Sequence, residues 1–480
     1  MSGLGSRMIA LSNYTAKVSG QTAVLDRNRG TSAMQAKRVL DKLDSPLLSS
    51  SRYRWLISLL LLSCTVGSTT AQQYHTDPVD KPSRAFGANA KQWLSNPAVY
   101  TADKAHFDDY FNKFYFSDMT RTEDMELGLL GKKRYELFSK YLWATSNAAL
   151  QRDLTEMAYK KMREIVIAKD PPYHPAVRYN AVLVLGMLDQ QYAAGNQKPK
   201  PLPEANTFLS QIVSLAGDDK PVPPPLVLGA LIGLERHAQL RDGLPPESIT
   251  AMTTALLKLV SREQPIQEMD PDAYAWIRLR AASALAKLGG VGDKNSVHNA
   301  VVKLIATNKS LDDRCEAAGL LDKFIYKDVK LDDASTADTL FALARDVAAA
   351  EDKRAADFQS QYGGGSVIPG SRPRAVQAEF SPVGANGEPQ ETYPRRQVLA
   401  RLTNLRAAIA KVKTALPADS QKKADELIKA IDPAKTAASN KDTIELKLAA
   451  AIRTMAAAIN KAVPPAAGEK AAPAKTAAAL

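Results

Sequence analysis

The residues able to do chemistry in this chain are few and far apart. Its five histidines, His75, His106, His174, His237 and His298, each stand alone in their segments. A helical zinc site needs two histidines one turn apart on one face, as in H-E-x-x-H, with further ligands close by. No such pair occurs and no cysteine set accompanies the histidines, so neither a metal nor any other cofactor is expected. His237 falls on an apolar face and reads as packed between helices. Carboxylates occur as sequence neighbours at Asp108 and Asp109, Asp218 and Asp219, Asp312 and Asp313, and Asp332 and Asp333. Adjacent residues on a helix point in different directions, so these pairs do not set a general acid against a general base. They read as helix N-caps and solvated turns. Gly363-Gly364-Gly365 lacks the Lys-Ser or Lys-Thr of a phosphate loop, and no G-x-S-x-G nucleophile elbow is present. No catalytic residue emerges, and the chain reads as a non-enzyme.

What remains is a set of side chains suited to contact. Arg178 and Arg278 occupy equivalent places in two similar segments. They either align neighbouring helices through ion pairs or meet a partner in a groove. Phe107, Tyr110, Phe111 and Phe114 share one helical face, with Asp108, Asp109 and Lys113 turned away. These rings either cap the apolar end of a helical array or line a ligand groove. The second case keeps a rival reading open, an enzyme whose site assembles from several helices near the aromatic patch. Arg178, Arg278, Phe107, Tyr110 and Phe114 are therefore the candidate partner-binding residues. Of the two cysteines, Cys315 stands in a predicted helix beside Ala317 and reads as a small buried side chain, while Cys64 lies in an apolar leader.

The elements that must position these residues are helices. Counting from Val177, apolar or small residues fall at Ala181, Leu185 and Leu188, one stripe of a 3.6-residue period. The same offsets recur from Ile277 through Ala281, Leu285 and Leu288, and after Arg314 at Ala317, Leu321 and Phe324. Each stripe belongs to the second member of a helix pair. The expected pairs are 149–168 with 174–188, 204–216 with 225–240, 246–261 with 272–289, and 293–306 with 311–326. Prolines separate the members, because proline lacks the amide donor and disfavours helix in the residue before it. From Val177 to the matching Leu226, Ile277 and Asp313 the steps are 49, 51 and 36 residues, so the loops vary in length. A unit of this kind cannot bury both its faces alone, and stacked neighbours supply the core.

The pattern Val177-Arg178-x-x-Ala181-x-x-x-Leu185-Gly186-x-Leu188, repeated as Ile277-Arg278-x-x-Ala281-x-x-x-Leu285-Ala286-x-Leu288-Gly289, resembles the second helix of HEAT repeats over about residues 149–326. Two copies depart from it, with Val227 where the arginine belongs and Asp313 where an apolar residue is usual. The resemblance implies an all-α fold, an α–α superhelix or solenoid that binds other macromolecules on an extended surface. HEAT arrays serve so many partners that no specific activity transfers with the fold.

Charge and leader bound the partner and the compartment. The net charge of +12 is carried at the ends: residues 1–54 have a surplus of +6 and residues 395–480 a surplus of +9, leaving 72–394 at −3 because 55–71 hold no charge. A nucleic-acid binder concentrates its base on the folded platform, so no nucleic-acid partner is expected. Arg52-Tyr53-Arg54 precedes an apolar run from Trp55 to Gly67, followed by Ser68-Thr69-Thr70-Ala71, the layout of an export signal cleaved before Gln72. Thirteen residues are short for a bilayer span of roughly 20. Two alternatives tether the protein to a membrane: an uncleaved 52–71 segment, or a lipid on Cys64, since Leu61-Leu62-Ser63-Cys64 resembles a bacterial lipobox. Residues 1–51 are polar and without period, and Met34 as a start gives a leader of ordinary length. They are set aside from the fold as disordered or untranslated.

The organisation expected is thus a leader at 1–51, a signal or anchor at 52–71, a helical cap at 97–168, a HEAT-like array at 149–361, a Gly/Pro linker at 362–394, a helical hairpin or three-helix unit at 395–463 and a disordered tail at 464–480. In the last unit Ile444, Leu448, Ile452, Met455, Ile459 and Val463 form one stripe, for packing or for an anionic surface such as a membrane or an acidic envelope polymer. The function expected is that of an exported, periplasmic or secreted scaffold with a protein partner.

Overall fold

The structure is a computed structural model, and it describes residues 74–218, 220–266, 269–331, 334–362 and 393–464. The leader, Cys64, nearly all of the linker and the tail beyond residue 464 lie outside the described residues. The helices in chain order are α1 (Ala90–Ser95), α2 (Pro97–Ala102), α3 (Lys104–Asp109), α4 (Asp124–Glu136), α5 (Ala148–Ile167), α6 (Pro175–Leu185), α7 (Pro203–Gly217), α8 (Pro224–Gln239), α9 (Pro246–Ser261) and α10 (Pro271–Leu288). They continue with α11 (Ser296–Thr307), α12 (Leu311–Leu320), α13 (Ala334–Tyr362), α14 (Arg395–Val412), α15 (Ala418–Ser439) and α16 (Glu445–Ala462). No helix among the described residues is long and apolar enough to cross a membrane.

Local chemistry explains the boundaries. Pro97, Pro175, Pro203, Pro224, Pro246 and Pro271 each open a helix. The first turn needs no amide donor and proline's fixed φ suits it, so these prolines start helices as much as they end the preceding ones. Side-chain oxygens of Asn147, Asp270 and Ser310 accept from free amides of the first turns of α5, α10 and α12, and the His174 ring accepts from Ala176 in α6. Gly289 ends α10 at φ +76°, a left-handed conformation that costs glycine nothing. The expected bounds of α7 to α10 agree with the structure within one residue. α15 runs on through Pro433 to Ser439, although a proline inside a helix removes a backbone hydrogen bond. Ile431, Ala434 and Ala438 are buried around that proline, and their packing outweighs the lost hydrogen bond.

The chain forms two compact units. The first holds the described residues through Leu209, with Pro223–Gly233 and Asp242–Pro245. In it α5 packs on α6, and α4 packs on α6. The end of α6 meets α8 backbone to backbone: a methyl at Gly186 would stand 2.6 Å from the Gly233 Cα, and one at Gly233 2.8 Å from the Gly186 Cα. A small antiparallel hairpin, β1 (Asp189–Gln191) with β2 (Lys200–Pro201), was not foreseen. Nor were two π-helical turns, Tyr110–Tyr115 continuing α3 and Leu137–Leu142 continuing α4.

The second unit holds Ser210–Val222, Leu234–Arg241 and the described residues from Pro246 onward. Successive helices pack in pairs, α9 with α10 and α11 with α12. Between pairs, α9 lies on α11 and α11 on α13, while α10 lies on α12 and α12 on α14. The C-terminal helices are not set apart from these pairs, since α14 packs on α12 and α16 on α13, with α15 joining α14 and α16. Leu448, Ile452, Met455 and Ile459 are all buried, so the α16 stripe is used in this packing, with Ile444 exposed at its start.

Candidate interaction surface

Arg178 and Arg278 turn inward, within their own helix pairs. Arg178 donates from Nη2 to the Val166 carbonyl at 2.7 Å, in the last turn of α5. Arg278, 6% exposed, donates from Nε to the Val260 carbonyl at 2.9 Å, in the last turn of α9. Arg314 does the same one pair later, from Nε to the Ile305 carbonyl of α11 at 2.8 Å. The last carbonyls of a helix have no partner within it and carry the negative end of its dipole, so a cation from the second helix satisfies both. The recurring arginine is thus a lock between the two members of a pair. An ion pair to the next helix exists only where Arg314 also reaches Asp346 of α13 at 2.7 Å, among the described residues of this set. Val227 takes the arginine's place in α8.

The aromatic residues are likewise placed in the core. Phe107 is 1% and Tyr110 7% exposed, packed with Trp93, Tyr100 and Phe111. The π-helical turn inserts one residue, which rotates Tyr115 and Phe116 inward as well and closes the face that a regular helix would leave open. The two π turns meet where the Tyr110 and Tyr141 hydroxyls lie 3.0 Å apart. Phe114 alone of the expected ligand-groove residues is half-buried, with the Arg84 guanidinium 5.9 Å from its ring centre.

Beside this cluster a groove of about 520 Å³ runs between α3 and α5. Its charges pair with one another. Lys104 binds Asp108 and Asp153, Lys160 binds Glu156, and Lys161 binds Asp77 and Glu164. Tyr100 donates to Asp153 at 2.6 Å, and burial followed by that carboxylate pushes its pKa up to about 12. The phenol therefore stays protonated at neutral pH and acts as a hydrogen-bond donor.

Two reactive groups elsewhere are sequestered. Cys315 is buried, and burial pushes its thiol up to about 12, far from a nucleophilic thiolate. His298 is fully enclosed, its ring nitrogens 2.9 Å from the Tyr326 and Thr336 hydroxyls, and burial brings its pKa down to about 4. Among the described residues no group of three His, Cys, Asp or Glu side chains could hold a metal ion.

An ordered polar surface appears instead on α10 and α8, at residues the sequence reading passed over. Trp276, Arg280, Ser283 and Lys287 follow one another at four-, three- and four-residue steps and so share the outer stripe of α10. Arg280, Ser283 and Lys287 converge on one carboxylate oxygen of Glu235, at 3.1, 3.0 and 2.6 Å. The Arg280 guanidinium lies 5.9 Å from the Trp276 ring centre, within cation–π range. Glu235 is 18% exposed. Burial pushes its pKa up, but the charges of Arg280 and Lys287 and the bonds from Lys287 and Ser283 outweigh burial and hold it below the usual carboxylate range. The result is a patch with one surplus positive charge whose two cations and one indole are already fixed in place. Tryptophan and arginine held rigid in this way are the side chains that carry most binding energy at protein interfaces. The polar spacing on α10 was readable, but its link to Glu235 forty-five residues earlier depends on tertiary packing.

Comparison of this chain with protein-family models, with curated proteins and with solved structures finds no match.

Proposed function

We propose that this protein is a non-catalytic interaction or scaffold protein of the cell envelope, exported by the signal at 52–71, which binds a protein partner on the outer faces of HEAT-like helix pairs. The observation that carries the reading is the fixed Trp276, Arg280, Lys287 and Glu235 patch, an organised surface on a chain in which, among the described residues, Cys315 and His298 are buried. Two features support a HEAT-like solenoid as its frame. Helix pairs stack first member on first and second on second through α9 to α14, and an arginine locks three of the pairs. A partner with an acidic rim suits the surplus positive charge, and the Trp276 ring supplies the apolar contact. The test is site-specific photo-crosslinking from position 276 in living cells. It should yield a discrete protein adduct that disappears when Arg280 and Lys287 are both replaced by Glu. Absence of any adduct in the parent argues against this surface.

A further inference from the structure

Helix α4 leaves an apolar face without a partner. Met125 is 77% and Tyr135 63% exposed, and Leu129 is exposed as well, on the side of the helix away from buried Leu130. Between them lie Gly128 and Gly131, where an added methyl would meet nothing within 4 Å. Glycine is a poor helix former, and nothing within the described residues comes close enough to require it here. Two charges flank this face. Asp124 stands at its start and Lys132 in its second half, both exposed, and neither has an ion-pair partner among the described residues.

We propose that α4 pairs antiparallel with α4 of a second copy of this chain, about a two-fold axis near Gly128. The spacing is what singles out a second copy. An axis at Gly128 sets Asp124 of each copy opposite Lys132 of the other, because the two residues are equidistant from it in sequence. The surface is therefore self-complementary in charge, as a two-fold interface requires. Gly128 at the crossing lets the two backbones approach, and Met125 and Leu129 of each copy cover that contact. The helix is 13 residues, or about 20 Å, long. A single helix of this length offers a short contact, so the association is of the weak kind that shows up as concentration dependence. This pairing is independent of the α10 surface.

Sedimentation velocity of the full chain from about 1 to 100 µM tests the proposal. The parent should show a concentration-dependent dimer. Asp124→Lys or Lys132→Asp alone should weaken it about tenfold by placing like charges together, and the double exchange should restore it. Gly128→Leu should weaken association while leaving the melting temperature unchanged or higher, which separates a lost contact from a damaged fold. Because all three sites are on α4, these variants also distinguish this pairing from any association through residues 55–67. A monomer throughout the range, or a dimer indifferent to both charge changes, overturns the proposal. So does binding of the exposed face to phosphatidylglycerol vesicles that Asp124→Lys strengthens while no dimer forms.

Discussion

His298 shows how a single side chain ties this fold to pH. Its imidazole is neutral in the folded state, enclosed between Tyr326 and Thr336, and takes a proton only near pH 4. The unfolded chain binds that proton near 6.5, so the unfolded state holds more protons between those values and stability falls as pH drops from about 6.5 to 4. A shift of this size corresponds to about 3 kcal/mol. Urea unfolding at pH 7 and pH 4.5 should therefore show a loss in the parent that shrinks markedly in His298→Gln, which does not titrate. Equal losses in the two proteins would mean that His298 is not held neutral. Cys315 makes a second residue-scale prediction. In a Cys64→Ser background at pH 8, a thiol reagent should label the native protein orders of magnitude more slowly than the urea-unfolded one, because only about one thiol in 10⁴ is ionised when the pKa is near 12. Rapid labelling of the native protein would contradict the burial.

At the scale of elements, the helix pairs depend on buried stripes and close approaches. Ile277 and Leu285 lie on the buried side of α10, and replacing either with Asp should cost about 4 kcal/mol and broaden or abolish cooperative unfolding. Parent-like unfolding of both variants would show that the stripe is assigned to the wrong face. Gly233→Ala should cost about 1–3 kcal/mol, since its methyl would overlap the Gly186 Cα. A melting temperature equal to the parent's would mean that α6 and α8 do not touch there. These same elements show what the sequence could convey. The 3.6-residue stripes and the prolines located α7 to α10 within a residue, because each of these helices starts at a proline that the sequence displays. The π turns were invisible, since one inserted residue leaves the aromatic spacing unchanged while altering which rings face inward. The roles of Arg178 and Arg278 were also out of reach. Their position in the repeat was plain, but a carbonyl twelve or eighteen residues earlier is matched to them only by the packing of the pair.

For the whole molecule, the sequence shows basic ends on a mildly acidic body and leads to the expectation of a binding surface rather than a catalytic site. It could not indicate which surface, because the Glu235 patch joins two helices whose polar residues look ordinary in isolation. The most direct measurement of the central claim is the photo-crosslink from position 276 in living cells. The account predicts one discrete protein adduct in the parent and none when Arg280 and Lys287 are replaced by Glu, with folding unchanged. No adduct in the parent, or an adduct that survives both replacements, would contradict it.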